Sequence, residues 1–161
     1  LYYRGTVRNA MKRFKFSSAA YCADWFAAQM CAALTSQLEE WQPNLITYMP
    51  IGLLHYRKRG YNQAELLAKL IAKPLSLPCE ATLRKRWFVG KQSAQKDYAA
   101  RQSNAKDAVL PKGGVDLTGK SVVLVDDIIT TGATAAAAVK VLRKMGVSRV
   151  YVLAATVTPR K

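Results

Sequence analysis

Two adjacent carboxylates and a turn rich in hydroxyl groups lie close together in the second half of the sequence. The carboxylates are Asp126 and Asp127, and the turn is Thr130-Thr131-Gly132-Ala133-Thr134. Carboxylates accept hydrogen bonds from sugar hydroxyls or bind metal ions. A helix that begins in such a turn offers free backbone N–H groups to an anion. The spacing therefore predicts a site for a phosphorylated sugar.

The flanking residues predict the elements that position these groups. Residues 121–125 are almost all aliphatic, which is typical of a strand buried on both faces of a parallel sheet. The alanine-rich run 133–145 predicts a helix. In open parallel sheets, ligands bind outside the carboxyl ends of strands and next to helix N-termini. An ordinary strand-to-helix turn is the alternative, and it would suffice to explain a lone acidic pair.

A basic cluster, Arg57-Lys58-Arg59-Gly60, follows another predicted strand over residues 45–49. A helix is predicted after it, with Asn62 as the cap and Glu65 as the first-turn acid, running to about residue 72 before Pro74. The cluster should therefore lie on a strand-to-helix loop, at the same edge of the sheet as the carboxylates.

Arginine side chains in this cluster suit phosphate binding, because a guanidinium group pairs bidentately with phosphate oxygens. Arg59 is predicted to be the principal contact, since it is fixed relative to the start of the following helix. Arg57 is ranked second, and Lys58 is predicted to be solvated. A solvated run of charges is the alternative.

The remaining segments predict the fold class. Residues 1–16 and 21–38 read as helices, and the second should pack on the sheet through Trp25, Ala28 and Ala32, with Phe26 and Met30 as further candidates. Strands are predicted around 81–83 and over 147–157. The order indicates an α/β fold with a mainly parallel sheet flanked by helices. We predict one domain, 1–161, with N-terminal helices in residues 1–40.

Composition sets limits on location and partners. The chain has 161 residues and a net charge of +15, from 25 Lys and Arg against 10 Asp and Glu. This charge suits any polyanion and does not choose among them. Cys22, Cys31 and Cys79 lack zinc-ligand spacing and are predicted to be free thiols. No apolar run approaches the roughly 20 residues of a membrane span, so we expect a cytoplasmic protein with no transmembrane segment.

The stretch of strand, turn and helix resembles the signature of type I phosphoribosyltransferases, enzymes that use 5-phosphoribosyl-1-pyrophosphate (PRPP). The resemblance implies that Asp126 and Asp127 hold the ribose 2′- and 3′-hydroxyls. It implies that the 5′-phosphate lies against Thr130, Thr131, Gly132, Ala133 and Thr134. The basic cluster would be the pyrophosphate loop, with Arg57, Arg59 and Gly60. Residues 84–106, which include Arg101, would form a mobile loop that closes over the site.

Residues 50–63 narrow this resemblance to the ComF family, phosphoribosyltransferase-like proteins linked to natural competence and DNA utilisation. They combine a proline, a spacer and the run Arg59-Gly60-Tyr61-Asn62-Gln63. The start of the chain resembles the start of the family's domain, through Tyr3-x-Gly5-x-Val7-Arg8 and then Lys12, Lys15 and Phe16. The run Arg101-x-x-Asn104-x-x-x-Ala108 resembles the second basic motif of the family, although Val109 stands where the family usually has Phe. Many ComF proteins begin with a cysteine-rich zinc segment that this sequence does not contain, either because the segment was removed or because this member lacks it, and we predict no structural zinc.

The resemblance also implies a reaction. A nucleobase-like nitrogen would displace pyrophosphate at the ribose C1, with Mg²⁺ bridging the pyrophosphate and the ribose hydroxyls near the two carboxylates. The hypoxanthine-guanine enzymes have Asp at the position of Thr130, so a 6-oxopurine acceptor is disfavoured and the acceptor is left open. The alternative is a protein of the DNA-uptake machinery that binds PRPP or single-stranded DNA without transfer, because residues 4–15 and 84–106 are basic and nearly free of acids.

Overall fold

The protein is represented by a computed structural model that describes residues 1–16, 21–85 and 109–159. Within these residues the helices are α1 Gly5–Phe16, α2 Tyr21–Thr35, α3 Leu38–Trp41, α4 Leu53–Arg59, α5 Gln63–Leu75 and α6 Ala133–Lys144. The strands are β1 Leu45–Tyr48, β2 Leu83–Lys85, β3 Val109–Pro111, β4 Ser121–Ile129 and β5 Arg149–Val157.

The central sheet is parallel, with strand order β1-β4-β5. In the middle strand, Val123 lies opposite Ile46 of β1 and Tyr151 of β5. Residues 122–125 have no exposed surface. A strand covered on both faces must be apolar on both faces, which is why its aliphatic run was a reliable sign. The predicted α/β class with a parallel central sheet is confirmed.

A hydrophobic core lies on each face of the sheet. On one face, α1, α2 and α5 pack against Ile46, Val123 and Val125. On the other face, α6 packs against Val122 and Leu124. Successive side chains of a strand point to opposite faces, so β4 contributes alternately to the two cores and fixes both layers of helices relative to its own carboxyl end.

The two short strands form a separate antiparallel pair, β2-β3. Lys85 at the end of β2 lies opposite Val109 at the start of β3. The strand predicted around 81–83 is therefore found two residues later in the chain. Leu83 and Val109 are buried in the core that α6 covers, which holds the pair beside the carboxyl end of the parallel sheet.

The buried face of α2 differs from the predicted one. Trp25 is 49% exposed, and Ala28 and Ala32 are exposed, whereas Phe26 and Met30 are buried. The helix is apolar on nearly all sides, so its sequence does not determine which side packs. Despite this apolar character, no helix in the described part of the chain has the length and apolarity needed to cross a membrane.

The segment between β1 and α5 is partly helical, where an irregular loop was predicted. Its basic residues form the last turn of α4, which ends at Gly60 with φ +80°. Asn62 then caps α5 as predicted: its side-chain oxygen accepts from the Ala64 N–H at 3.1 Å, and its amide nitrogen donates to the Met49 carbonyl at 3.0 Å. Pro74 lies within α5, which continues to Leu75 instead of ending near residue 72.

Candidate functional site

The acidic pair lies within β4, whereas sequence reasoning placed it after the strand. The strand continues to Ile129, and Asp126 is in register with Ala154 of β5. Both aspartates are partly buried, and the Asp127 N–H donates to the Asp126 carboxylate at 2.8 Å. The extra strand residues hold the two carboxylates on a hydrogen-bonded backbone instead of a turn.

Burial, and after it the charge of the neighbouring Asp127 carboxylate, raise the pKa of Asp126 to about 7. The hydrogen bond from the Asp127 N–H and the charge of Lys15 act in the opposite direction. A carboxylate in this state takes up or releases a proton near neutral pH, so its charge responds to any cation or polar ligand placed beside it.

Lys15 at the end of α1 reaches the acidic pair, a contact that sequence reasoning missed. Its Nζ lies 2.8 Å from Asp127 Oδ2, and the two side chains are 18% and 13% exposed. The available signal was the resemblance of the opening segment to the start of the ComF domain, which includes Lys15. That resemblance gave no indication of what the lysine contacts.

The hydroxyl-rich turn follows β4 directly and opens α6. Gly132 is the cap residue, with φ +79°, and its carbonyl accepts from the Ala136 N–H at 2.8 Å. Thr130, Thr131 and Thr134 are exposed, and the Thr131 hydroxyl oxygen accepts from the Ala133 N–H at 3.3 Å. Left-handed backbone at the cap is easy only for glycine. The turn therefore presents hydroxyls and the start of a helix to solvent, as an anion site requires.

A small cavity of about 160 Å³ joins the turn to Asp126, the first residue of the acidic pair. It is lined by residues from three parts of the chain, namely Met49, Pro50, Lys85, Asp126, Ile128, Ile129, Thr130, Thr131, Gly132, Ala133, Thr134 and Ala135. The structure thus brings the sequence-predicted carboxylate and all five residues of the turn to one cavity.

Lys85 is a second residue that sequence reasoning did not assign to the site. Burial lowers its pKa, and the nearby Asp126 carboxylate offsets part of this effect. The residue belongs to the basic stretch 84–106 that was predicted to be a mobile loop, and β2 holds it in place. The rest of that stretch, residues 86–106 with Arg101, lies outside the described residues.

The basic cluster borders a larger cavity of about 770 Å³. Arg57 lines this cavity together with Tyr48, Lys85 and Pro50, and the last two also line the smaller cavity. Arg59 is partly buried, and its guanidinium donates to Gln63 Oε1 at 3.1 Å. The two arginines therefore have different surroundings. Arg57 faces a cavity adjacent to the turn, and Arg59 is tied to the start of α5, as its predicted fixed position requires.

Metal ions in proteins are held by His, Cys, Asp and Glu side chains. In residues 1–16, 21–85 and 109–159, no three His, Cys, Asp or Glu side chains come together to hold an ion. Cys22, Cys31 and Cys79 are free and partly buried, as predicted. Among the described residues that line the small cavity, Asp126 supplies the carboxylate.

Comparison with known proteins gives a consistent result. The phosphoribosyl transferase domain matches residues 61–160. Competence protein F of Haemophilus influenzae is 31% identical over 148 residues, which are 88% of this chain and 64% of that protein. Competence protein ComFC of Bacillus subtilis is 25% identical over 144 residues, 89% of this chain and 56% of that protein. The chain therefore spans between half and two thirds of the length of each of these relatives.

A solved structure agrees with these matches. Glutamine PRPP amidotransferase from Bacillus subtilis is similar with a TM-score of 0.55 and 26% identity, over 83% of this chain and 26% of that chain. The type I phosphoribosyltransferase-like fold and the resemblance to ComF proteins, both predicted from sequence, are confirmed.

Proposed function

The chain belongs to the phosphoribosyl transferase domain family, and we propose that it binds PRPP and transfers the phosphoribosyl group to a nucleobase-like acceptor, with release of pyrophosphate. The observation that carries this proposal is the single cavity shared by Asp126, Lys85 and the turn from Thr130 to Thr134. A sugar phosphate needs hydroxyl acceptors and a phosphate cradle side by side, and this cavity offers both.

Each part of PRPP has a complementary part of the site. The 5′-phosphate would accept hydrogen bonds from the N-terminus of α6 and from the threonine hydroxyls of the turn. Asp126 and Asp127 would accept hydrogen bonds from the ribose hydroxyls. Arg57 and Arg59, with Gly60 ending their helix, would pair with the pyrophosphate. Most of the rate acceleration would come from holding the sugar in position and from stabilising charge that develops on the leaving group.

Magnesium fits this donor set. Mg²⁺ keeps several waters and is usually held by one or two carboxylates together with substrate phosphates, and the acidic pair supplies two carboxylates without further protein ligands among the described residues. Asp126 and Asp127 are therefore the residues that would hold it. When bound, the ion would supply positive charge against the departing pyrophosphate.

We place the protein in the cytoplasm, and its binding of PRPP can be measured directly. The three free cysteines are in keeping with a reducing cytoplasm, where we place the activity. Calorimetric titration with PRPP in the presence of Mg²⁺ should show binding, and a panel of nucleobases should identify an acceptor that triggers pyrophosphate release. A folded protein that does not bind PRPP would refute the proposal.

A second function is favoured by the charge of +15 and by the names of the two competence relatives. In this function the protein binds PRPP or single-stranded DNA within the DNA-uptake machinery and performs no transfer. PRPP binding without pyrophosphate release for any base would favour it. A complex with single-stranded DNA should weaken steeply as salt rises, because each neutralised phosphate releases a counterion.

A further inference from the structure

The contact between Lys15 and Asp127 joins the N-terminal helix to the proposed PRPP site. The two charged atoms are 2.8 Å apart, and both side chains are largely buried. Asp127 is bonded in turn to Asp126 through its backbone N–H. Asp126 lines the cavity that would receive the sugar, and the charge of Lys15 acts on its carboxylate, so an ammonium group lies beside the acidic pair and next to this cavity.

Anchoring of α1 does not by itself explain this buried charge. Met11 and Phe14 of the same helix have no exposed surface, and the Tyr61 hydroxyl donates to the Phe14 carbonyl. Removing two charges from water costs several kcal/mol, and apolar side chains often replace a buried ion pair without loss of stability. Since α1 is already held by apolar packing and by Tyr61, the charges of Lys15 and Asp127 call for a role beyond packing.

The chemistry of the pair matches a sugar hydroxyl. A hydroxyl both donates one hydrogen bond and accepts others, whereas a carboxylate only accepts and an ammonium only donates. The Asp127 carboxylate can accept from the hydroxyl hydrogen. Lys15 has three N–H donors, of which the contact with Asp127 uses one, so a second can donate to the hydroxyl oxygen.

We propose that Lys15 is a ligand-binding residue of the PRPP site, which orients Asp127 and together with it binds one ribose hydroxyl as a donor–acceptor pair. This inference rests on the proposed function and deepens it. The end of α1 then lies against the proposed site. The hydrogen bond from the Tyr61 hydroxyl to the Phe14 carbonyl helps to position Lys15, the next residue. Tyr61 itself directly follows the basic cluster.

The test compares two lysines of one helix and two ligands. Lys15→Met should lower the affinity for ribose 5-phosphate about 10-fold or more, as expected for a lost hydrogen bond to a charged group. Its affinity for inorganic phosphate, which lacks the hydroxyls, should stay within about twofold, because the turn that binds phosphate is intact. Lys12→Met removes the same charge from an exposed position on α1 and should change neither affinity.

Two further variants separate binding from folding. Lys15→Arg keeps the charge and should recover part of the lost affinity, and Lys15→Gln provides a neutral donor if the Met variant does not fold. In a double-mutant cycle, Lys15→Met should add little to the loss caused by Asp127→Asn, since the two residues act on one hydroxyl.

The outcomes distinguish this inference from the function on which it rests. Equal losses for both ligands, a similar loss in Lys12→Met, or additive losses with Asp127→Asn would overturn the role of Lys15 while PRPP binding by the unmodified protein stands. If the unmodified protein binds neither PRPP nor ribose 5-phosphate, the proposed function fails and the role of Lys15 fails with it.

Discussion

Two sides of the proposed site are built in different ways. The acidic and phosphate side comes from one continuous stretch, the end of β4 and the start of α6. The cationic side comes from three separate segments, with Lys15 at the end of α1, Arg57 and Arg59 in α4 and Lys85 at the end of β2. Groups on the first side are positioned by local backbone, whereas groups on the second side are positioned by packing between distant parts of the chain.

This difference has a physical consequence. A carboxylate or a turn N–H held by a strand and a helix cap moves little, so the first side should tolerate substitution badly. Lysine and arginine side chains are long and flexible, and several of them share the second side. Substitutions there should produce graded losses instead of abolishing binding.

The largest effect is expected for Gly132→Val in the turn. Gly132 has φ +79°, a conformation that a β-branched residue rarely adopts. Nothing lies within 4 Å of the position of an added Cβ, so the damage would come from a distorted backbone and from a side chain placed where the phosphate approaches. We expect ribose 5-phosphate affinity to fall about 100-fold or more, equivalent to about 2.7 kcal/mol.

Gly113→Val is the matched control for this change. Gly113 also has open space around an added Cβ, and its φ lies outside the left-handed region. Calorimetry should show unchanged affinity for this variant. Normal binding by Gly132→Val would mean that the turn does not cradle the phosphate.

The next largest effect is expected for the two carboxylates. Both variants should lose PRPP affinity, but they should differ in stability. Asp126→Asn and Asp127→Asn should each lower PRPP affinity about 10-fold or more, as for a hydrogen bond to a charged group. In addition, Asp127→Asn should destabilise the fold, because it leaves the largely buried Lys15 ammonium without its carboxylate. Urea unfolding in parallel with calorimetry measures both effects.

Asp24→Asn serves as the control for PRPP affinity, since Asp24 is exposed on α2 and should leave that affinity unchanged. Retention of PRPP affinity in both Asp126→Asn and Asp127→Asn would exclude the pair from the ligand site. Equal stability of the two variants at neutral pH would show that the contact with Lys15 contributes nothing to the fold.

On the cationic side, the two arginines of α4 should contribute more to the affinity for PRPP than to the affinity for ribose 5-phosphate. Arg59→Ala and Arg57→Ala should lower PRPP affinity several-fold to about 100-fold, given about 1.5–3 kcal/mol for a hydrogen bond to a charged group. We expect the larger loss for Arg59, because Gln63 holds its guanidinium. Ribose 5-phosphate, which lacks the pyrophosphate, should bind both variants almost normally.

Lys58→Ala controls for charge at the neighbouring position and should leave PRPP affinity nearly unchanged. A larger loss in Arg57→Ala would transfer the principal role to the residue that lines the larger cavity. Equal losses for PRPP and ribose 5-phosphate would mean that these arginines act through the fold or net charge, and the pyrophosphate assignment would have to be withdrawn.

The same contrast explains what could be predicted from sequence. The strand of residues 121–125, the turn and α6 were predictable because each has a local cause: continuous aliphatic residues, a glycine cap and an alanine-rich helix. Extension of β4 to Ile129 was not predictable in this way, because Asp126, Ile128 and Ile129 are held in the strand by pairing with β5.

Tertiary packing decided the features that sequence reasoning missed. Lys15 and Asp127 are far apart in the chain, and only the position of α1 against the sheet brings them together. Trp25 was assigned to the core because α2 is apolar on most sides, whereas the structure buries Phe26 and leaves Trp25 exposed. The helical form of α4 was missed because the cap at Asn62 indicated that the residues before it form a strand-to-helix loop.

The smallest effect is expected for the free energy of unfolding as a function of pH. The folded protein holds the proton of Asp126 up to a pKa of about 7, compared with an ordinary value of 3.8. Between these values the unfolded chain releases the proton while the folded protein retains it, so raising the pH favours unfolding. Asp126 should therefore lower the free energy of unfolding as pH rises from about 4 to about 7. Above pH 7 the contribution of Asp126 should be constant.

Urea unfolding of the unmodified protein and of Asp126→Asn, in buffer with EDTA, should give free energies of unfolding that diverge between pH 4 and pH 7 in favour of the variant. Curves that run parallel from pH 4 to pH 7 would show that Asp126 is ionised in the folded protein throughout, and that the acidic pair carries its full charge before any ligand arrives.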